Sequence, residues 1–319
     1  MTSVHSVRPT DLVALVGYDG RVYPNEALTR DRIGTEMPAR PLSNALEQWF
    51  SFARGRHTWI SVKGATLRGL ASARRRGSKV AWEVDCLVDA AEDDNGVLMG
   101  LLDQMAEDAG RAGAEKVFLR VASDSHIATL ATRCGFARYL TEQLLVGRNP
   151  SDAEPARPNA GQGLRRWGRA DAYPTFRLYN RWTPEMVRRR EAATFREWTA
   201  ARERLSPPRG TRQWILERDG QIAGWLRTAA VGELGRFDLL ADQATPDALE
   251  VLVDAALTKL HEQSAFFALV PEFAVGLREE LERRAFVQQS EYAVLVRRTT
   301  RPIAAPQFAP ATAVQTFPA

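Results

Sequence analysis

The sequence predicts an α/β (α+β) fold of two tandem domains, each a mixed, mainly antiparallel sheet flanked by helices. The 319 residues are enough for two domains of ordinary size, and 45% are apolar and 26% charged, as in globular proteins. Short motifs recur in the same order in the two halves of the chain, about 150 residues apart. Each half reads as a hairpin followed by strand, helix, strand, helix and strand, which predicts sheets covered by helices.

The internal repeat consists of short apolar and aromatic motifs that keep a nearly constant offset. The corresponding segments are Trp59-Ile60 and Trp214-Ile215, Val117-Phe118-Leu119 and Phe266-Phe267-Ala268, Gly135-Phe136 and Ala285-Phe286, and Leu144-Leu145-Val146 and Val294-Leu295-Val296. Matches that keep both their order and their spacing predict a duplicated domain.

Composition suggests where the repeated units begin and end. Residues 148–170 are rich in Pro, Gly, Ala, Asn and Arg and show no apolar period, which is typical of a linker. We therefore predict a first domain over residues 1–147 and a second over residues 171–299 (the first and second halves below). Residues 300–319 are Pro/Ala-rich and predict a loose tail or an arm.

In the first half, apolar periodicity and turn residues predict the elements in order. A helix over residues 96–112 has its apolar residues on one face and ends at Gly113, and Lys63-Gly64-Ala65 marks a hairpin turn. The predicted elements are a strand at 6–8, helices at 11–16 and 42–53, a hairpin of 57–62 and 66–74, a strand at 80–88, the helix at 96–112, a strand at 115–121, a helix at 126–133 and a strand at 139–146.

The second half repeats this order. Thr245-Pro246-Asp247 predicts a helix start with proline at the first helical position. The predicted elements are a strand near 175–179, a helix at 184–204, a hairpin over 213–228, a strand at 236–240, a helix at 247–263, a strand at 265–270, a helix at 275–284 and a strand at 291–298.

Composition also excludes several classes of protein. Residues 1–8 lack the apolar core of a signal peptide, and no apolar run approaches the ~20 residues that span a bilayer, so we expect a cytoplasmic protein without a membrane partner. The formal net charge is +4, and most of the excess lies in residues 148–170, so nucleic-acid binding is not predicted. Four scattered histidines and two cysteines predict no metal site.

The order of elements, with Gly135-Phe136 after the last helix of the first half, resembles the GNAT superfamily of acyl-CoA-dependent N-acyltransferases. The likeness extends over both halves. The residues that carry it are Leu87-Val88, the helix pattern from Leu101 to Gly113, Val117–Val121 and Cys134-Gly135-Phe136. The resemblance implies that the fourth and fifth strands of a half separate to admit the pantetheine arm of the coenzyme. It also implies that the turn before the long helix binds the pyrophosphate.

The resemblance implies a coenzyme site in the first half, with acetyl-CoA or another acyl-CoA as the cofactor, or none if the loop is no longer functional. The implied binding residues are Leu87, Val88, Asn95, Gly96, Val97 and Leu98. The family pattern is Arg/Gln-x-x-Gly-x-Gly/Ala, of which the stretch Asp93–Leu98 retains only Gly96. Asp93 or Asp94 instead suits a helix N-cap. The corresponding stretch of the second half, 243–248, has no glycine and predicts no coenzyme site.

Acyl transfer to an amine needs a base for the ammonium and an acid for the departing thiolate. The family often places a carboxylate on the fourth strand, where Glu83 lies, with Glu233 as its rough counterpart; the alternative for Glu83 is a solvent-facing strand residue. The usual tyrosine position on the short helix holds Ala131 and Leu281. Tyr139 is a substitute candidate, or a strand residue that packs on the sheet.

The resemblance thus implies an N-acyltransferase whose chemistry lies in the first half and whose acceptor is an unidentified small-molecule or protein amine. The alternative is a catalytically silent module that keeps the fold and binds a partner. A third hypothesis is nucleic-acid binding through Arg165, Arg166 and Arg169. Two fused domains could form a pseudo-dimer within a monomer, or the chain could be a homodimer.

Overall fold

The computed structural model describes residues 3–11, 14–15, 23–32, 56–91, 94–148, 163–201 and 211–300. These residues form one mixed, mainly antiparallel sheet of twelve strands with helices packed on it, which confirms the predicted fold class. The predicted helix at 42–53 and the tail beyond residue 300 lie outside the described residues.

The strands and helices are numbered here in chain order. The strands are β1 Ser3–Ser6, β2 Arg56–Lys63, β3 Thr66–Arg75, β4 Ala81–Asp89, β5 Lys116–Ala122, β6 Ala137–Arg148, β7 Leu164–Arg166, β8 Arg212–Arg218, β9 Gln221–Val231, β10 Leu234–Ala241, β11 Ala265–Pro271 and β12 Val287–Arg298. The helices are α1 Asn95–Arg111, α2 His126–Arg133, α3 Ala172–Trp182, α4 Glu185–Glu191, α5 Phe195–Ala201, α6 Ala248–Lys259 and α7 Val275–Glu282, with short 3-10 turns at Pro9–Asp11, Arg30–Arg32 and Arg169–Asp171.

The two halves exchange their last strands. The order across the sheet is β1-β2-β3-β4-β5-β12-β6-β11-β10-β9-β8-β7. Strand β12, from the second half, pairs antiparallel with β5, and β6, from the first half, pairs antiparallel with β11. The two exchanged strands also pair with each other at the centre. The predicted domain boundaries at residues 147 and 171 therefore do not correspond to a boundary in the sheet, which is continuous across both halves. The domain boundaries remain a prediction.

The hydrophobic cores follow this exchange. The first-half core packs α1 and α2 on the sheet around Trp82 and Leu101, and it includes Ala293 and Leu295 from β12. The second-half core likewise includes Leu145 from β6. Burying one such side chain contributes roughly 1.5–3 kcal/mol, so each half is stabilised by residues of the other.

The starts of the two long helices differ. The Asp94 side chain accepts a hydrogen bond from the Gly96 N–H at 3.2 Å, which confirms the N-cap alternative for α1. Helix α6 begins at Ala248, so the prediction that Pro246 occupies the first helical position is wrong. The reason is a turn closed by the Ala248 N–H and the Thr245 carbonyl oxygen at 3.2 Å, after which the helix begins.

The region between residues 163 and 201 also departs from the prediction. The predicted strand near 175–179 is wrong, because those residues belong to α3. The buried residues of α3 recur with a helical and not an alternating period: Thr175, Phe176, Leu178, Tyr179 and Trp182. The predicted helix at 184–204 is two helices, since Ala192 leaves the helical conformation and Glu197 accepts hydrogen bonds from the Ala193 and Thr194 N–H groups. Part of the predicted linker, Leu164–Arg166, forms edge strand β7.

Across the described ranges, no helix combines the length and the apolarity that crossing a bilayer requires.

We expect the thermal stability to depend on His57 below neutral pH. The imidazole stacks on Trp82 with ring centroids 4.5 Å apart, and burial, followed by Arg75, lowers its pKa, while Asp108 opposes that shift. The unfolded chain therefore binds a proton at His57 more readily than the folded chain does. Stability should rise with pH through the unfolded pKa of histidine, about 6.5.

Melting temperatures of the wild type and of His57→Phe, measured between pH 5 and 7.5, test this. The wild type should gain more stability over this range than the variant does, because other titrating groups are common to both. Parallel curves for the two proteins would contradict the prediction.

Candidate functional site

Each half contains a pair of parallel strands that separate partway along their length. Strands β4 and β5 are paired from Ala81 and Lys116 to Glu83 and Phe118 and then diverge. Strands β10 and β11 are paired from Leu234 and Ala265 as far as Phe237 and Ala268, and they diverge beyond those residues. Both halves thus contain the separated strands that the resemblance implies.

In the first half, the gap is filled by residues 23–32, which we call the bridging segment. The Asn25 side-chain oxygen accepts a hydrogen bond from the Leu87 N–H at 2.9 Å, and its side-chain nitrogen donates to the Asp85 carbonyl oxygen at 3.1 Å. The Glu26 N–H donates to the Leu87 carbonyl oxygen at 2.9 Å. The edge of β4 that faces the gap is therefore hydrogen-bonded to the bridging segment.

The same segment also bonds to the opposite edge of the gap. The Leu28 N–H donates to the Arg120 carbonyl oxygen on β5 at 2.9 Å. Two residues of the segment, Ala27 and Thr29, are 2% and 0% exposed. The bridging segment is thus a buried part of the sheet that joins β4 to β5.

The predicted coenzyme residues of the first half fall into three groups. Leu87 lies at the edge of the gap with its backbone groups engaged by the bridging segment, while Asn95 and Gly96 lie at the exposed start of α1. The remaining three, Val88, Val97 and Leu98, are buried in hydrophobic cores. That these residues bind a coenzyme stays a prediction, and it requires the bridging segment to leave the gap.

Glu83 is buried, so the alternative of a solvent-facing residue is wrong. Its carboxylate accepts a hydrogen bond from Arg74 Nε at 3.1 Å on the neighbouring strand β3. Its counterpart is Arg236 and not Glu233, because Glu83 pairs with Phe118 as Arg236 pairs with Phe267. A catalytic role for Glu83 stays a prediction.

Tyr139, the other predicted catalytic residue, lies on β6. Its ring packs edge-on against Phe118, with centroids 6.3 Å apart, which confirms the interpretation as a packing residue. Burial, followed by the charge of Glu191, raises the pKa of its hydroxyl, so Tyr139 stays protonated. Its role as a proton donor stays a prediction.

In the second half, the corresponding gap forms a cleft of about 150 Å³, which we call the second-half cleft. Within the described residues, no backbone segment bonds to both of its strand edges as residues 25–28 do in the first gap, although the Arg30 side chain reaches Asp238 and Glu142. Its walls come from both strand edges and from helices α3, α4 and α5. Lining residues include Asp238, Leu239 and Leu240 of β10, Leu269 and Pro271 of β11, Tyr179, Val187, Glu191 and Trp198 of the helices, and Thr183 between α3 and α4.

A chain of alternating charges lies along this cleft, and we call it the charged chain. Glu142 on β6 binds Arg120 Nε and Arg30 Nη2, both at 2.7 Å. Arg30 also binds Asp238, whose other oxygen accepts a hydrogen bond from Arg227 Nε at 2.8 Å. Every member is largely buried, where charge-assisted hydrogen bonds offset the cost of desolvation.

Sequence reasoning missed Arg30, Glu142 and Asp238 as site residues. One signal was present, because Asp238 follows Arg236 by two residues, as Asp85 follows Glu83 in the first half. Both aspartates lie where the parallel strands begin to diverge, and both are held by arginines. Nothing local marks Arg30 or Glu142.

A second polar group lies in the wall of the cleft. The Tyr179 hydroxyl donates a hydrogen bond to Glu191 Oε2 at 3.3 Å, and Arg76 Nη2 lies 3.7 Å from Glu191 Oε1. Burial, followed by the charge of Glu191, raises the pKa of Tyr179 far above its usual range. Tyr179 is therefore a protonated donor that lines the cleft.

No cluster of three or more His, Cys, Asp or Glu suited to a metal ion occurs in the part of the chain that the structure describes. Cys86 and Cys134 are both buried. Burial, followed by the charge of Asp103, raises the pKa of the Cys134 thiol to about 11, so this thiol is not a ready nucleophile.

Solved structures share this architecture. A GCN5-related N-acetyltransferase from Sphaerobacter thermophilus superposes with a TM-score of 0.56 at 13% identity, over 95% of this chain and 98% of that one. A probable N-acyltransferase from Enterococcus faecalis gives a TM-score of 0.50 at 10% identity, over 94% and 72% of the two chains. A tandem GNAT protein from the clavulanic acid biosynthesis pathway gives 0.49 at 13% identity, over 93% and 98%.

No family model matches the sequence, and no curated protein matches it. The fold assignment therefore rests on the structural likeness to the first two proteins and on the repeated units of the chain itself. The protein has the GNAT fold in two tandem copies.

Proposed function

We propose that this protein is an acyl-CoA-dependent N-acyltransferase that binds its coenzyme in the second-half cleft. The observation that carries this proposal is the difference between the two gaps. The first gap is filled by the bridging segment, whereas no described backbone segment fills the corresponding gap between β10 and β11, which is lined by polar and apolar side chains.

The chemistry of the filled gap indicates what the open one would accept. The Asn25 carboxamide bonds to the Leu87 N–H and to the Asp85 carbonyl oxygen, and the pantetheine arm also carries amides. Strand β4 has an irregularity between Val84 and Cys86 that β10 lacks, so Leu239 of β10 corresponds to Leu87 of β4. An amide-bearing arm in the second-half cleft would therefore meet equivalent backbone groups.

The start of α6, a short turn beyond the end of β10, supports a phosphate position near this cleft, because residues of β10 line the cleft. The first N–H groups of a helix have no partner within the helix and favour anions. Two arginines lie beside the preceding turn: Arg181 Nη2 is 2.8 Å from Asp242 and Arg218 Nη2 is 3.3 Å from Asp247. Both cations could bind phosphate oxygens if they exchange their carboxylate partners, of which the Asp242 side chain is 18% exposed and the Asp247 side chain 55% exposed.

Acyl transfer forms a bond from the amine nitrogen to the carbonyl carbon and breaks the bond from that carbon to sulfur. The amine loses a proton and the thiolate gains one. Tyr179 and Glu191 are our candidates for these transfers, because the hydroxyl is protonated and bonded to the carboxylate within the cleft wall. The acceptor is an amine whose identity the lining residues leave open, either a small molecule or a protein.

Two charge substitutions at exposed positions test which half binds the coenzyme. Ala244→Glu places a carboxylate before α6, and Gly96→Glu places one at the start of α1. We expect Ala244→Glu to weaken acetyl-CoA binding about fivefold, since a like charge about 4 Å away costs about 1 kcal/mol even in bulk water. Gly96→Glu should leave the affinity unchanged. Calorimetric titration measures both affinities.

Ala244→Gln is the matched control, because it has the same size without the charge. Weaker binding in Gly96→Glu alone would instead favour the first half. No heat from the wild type at millimolar acetyl-CoA would contradict the proposed function and favour a catalytically silent binding module.

A further inference from the structure

We propose that the bridging segment couples the first gap to the second-half cleft. Because the segment is bound in the first gap, it places Arg30 in the second-half cleft, where Arg30 is a positioning residue. This inference rests on the proposed function, because it assigns Arg30 to the same second-half site. Arg30 acts through the two carboxylates that it binds and not through the reacting atoms.

The anchor of the segment lies in the first half. Asn25, Glu26 and Leu28 bond to both edges of the first gap, with the four distances between 2.9 and 3.1 Å. Ala27 and Thr29, between this anchor and Arg30, are 2% and 0% exposed. Because the intervening residues are buried and bonded, the position of Arg30 follows from the docking of the segment.

The far end of the segment reaches the second half. The Arg30 carbonyl oxygen accepts a hydrogen bond from Arg236 Nη1 on β10 at 3.2 Å. Its guanidinium binds Asp238 on β10 and Glu142 on β6. Asp238 is the first β10 residue beyond the paired region, and Glu142 faces Pro271 of β11 in the sheet. Arg30 therefore cross-links the two sides of the second-half cleft.

This cross-link sets the width of the cleft. Without Arg30, Glu142 keeps Arg120 and Asp238 keeps Arg227, so the fold retains these ion pairs while β10 and β6 lose their common partner. A cleft that is no longer held at one width must be ordered by the coenzyme on binding, and this ordering lowers the affinity. A lysine keeps the charge but lacks the planar fork that serves two carboxylates at once.

Acetyl-CoA binding to the full chain, measured by calorimetry, tests the coupling. We expect Arg30→Ala to weaken binding about tenfold and Arg30→Lys to weaken it less. Asn25→Ala should reproduce the effect of Arg30→Ala, although Asn25 bonds to β4 at the first gap and Arg30 to β10 at the second-half cleft. The double variant should bind acetyl-CoA with about the affinity of the single variant that binds it less tightly, since both substitutions act through one element. Pro24→Ala, at an exposed position of the same segment, is the matched control and should bind normally.

The outcomes separate this inference from the proposed function. If the wild type binds acetyl-CoA and both Arg30→Ala and Asn25→Ala bind it equally well, the coupling is overturned and the proposed function stands. If the wild type does not bind acetyl-CoA, amide hydrogen exchange decides. Asn25→Ala and Arg30→Ala should then both speed exchange at residues 238–241 relative to Pro24→Ala, and unchanged exchange overturns the coupling.

Discussion

Replacing Glu142 with alanine should lower the free energy of unfolding by about 3–5 kcal/mol, the usual cost of removing one partner from a buried ion pair. Glu142 is 2% exposed and binds Arg120, which is 4% exposed, and Arg30. The substitution leaves two guanidinium groups in the interior without the carboxylate that they share. Urea unfolding followed by circular dichroism measures the change.

Glu107→Ala provides the matched comparison. Glu107 pairs with Arg111 at 2.9 Å, but both side chains are more than half exposed, so water screens the pair. We expect a loss below about 1 kcal/mol. Equal small losses in Glu142→Ala and Glu107→Ala would show that the charged chain contributes no more than a surface pair does.

Replacing Gly147 with alanine should lower the free energy of unfolding by about 1–3 kcal/mol, the usual cost of overpacking a core. A Cβ atom at Gly147 would lie 2.6 Å from Phe286 Cε2, which is too close for the ring to stay in place. Gly147 belongs to the first half by sequence, while Phe286 belongs to the second-half core. The two meet because β6 is inserted into the second-half sheet.

Gly276→Ala is the control for this substitution. A Cβ atom at Gly276 meets its nearest neighbour, in Leu249, at an ordinary 3.7 Å, and alanine favours the helical conformation of α7. We expect this variant to be as stable as the wild type or slightly more stable in the same urea unfolding experiment. A Gly147→Ala protein as stable as Gly276→Ala would contradict the strand exchange.

Local patterns in the sequence predicted most of the elements. Helix α1 is found where apolar residues recur at helical spacing, and the hairpin of β8 and β9 turns at Asp219-Gly220, where both residues have positive φ. Helix α3 was predicted as a strand because its short aromatic run, from Phe176 to Tyr179, fits either element when it is read alone.

The candidate site was predicted less well than the fold. The sequence pointed to separated strands and to Leu87, which lies at the edge of a gap, but not to Asn25, which fills that gap. No period or motif marks residues 23–32. Arg30 is 112 residues from Glu142 and 208 from Asp238, so their ion pairs follow from the way that distant elements pack.

By itself, the sequence determined the repeated order of hairpins, strands and helices, because spacing along the chain decides which side chains share a face. Only the tertiary structure decided which last strand joins which sheet. Leu144-Leu145-Val146 and Val294-Leu295-Val296 have nearly the same apolar pattern, and either could pair with β5. Which last strand pairs with β5 depends on the packing of both cores at once. The same packing decides which of the two gaps the bridging segment fills.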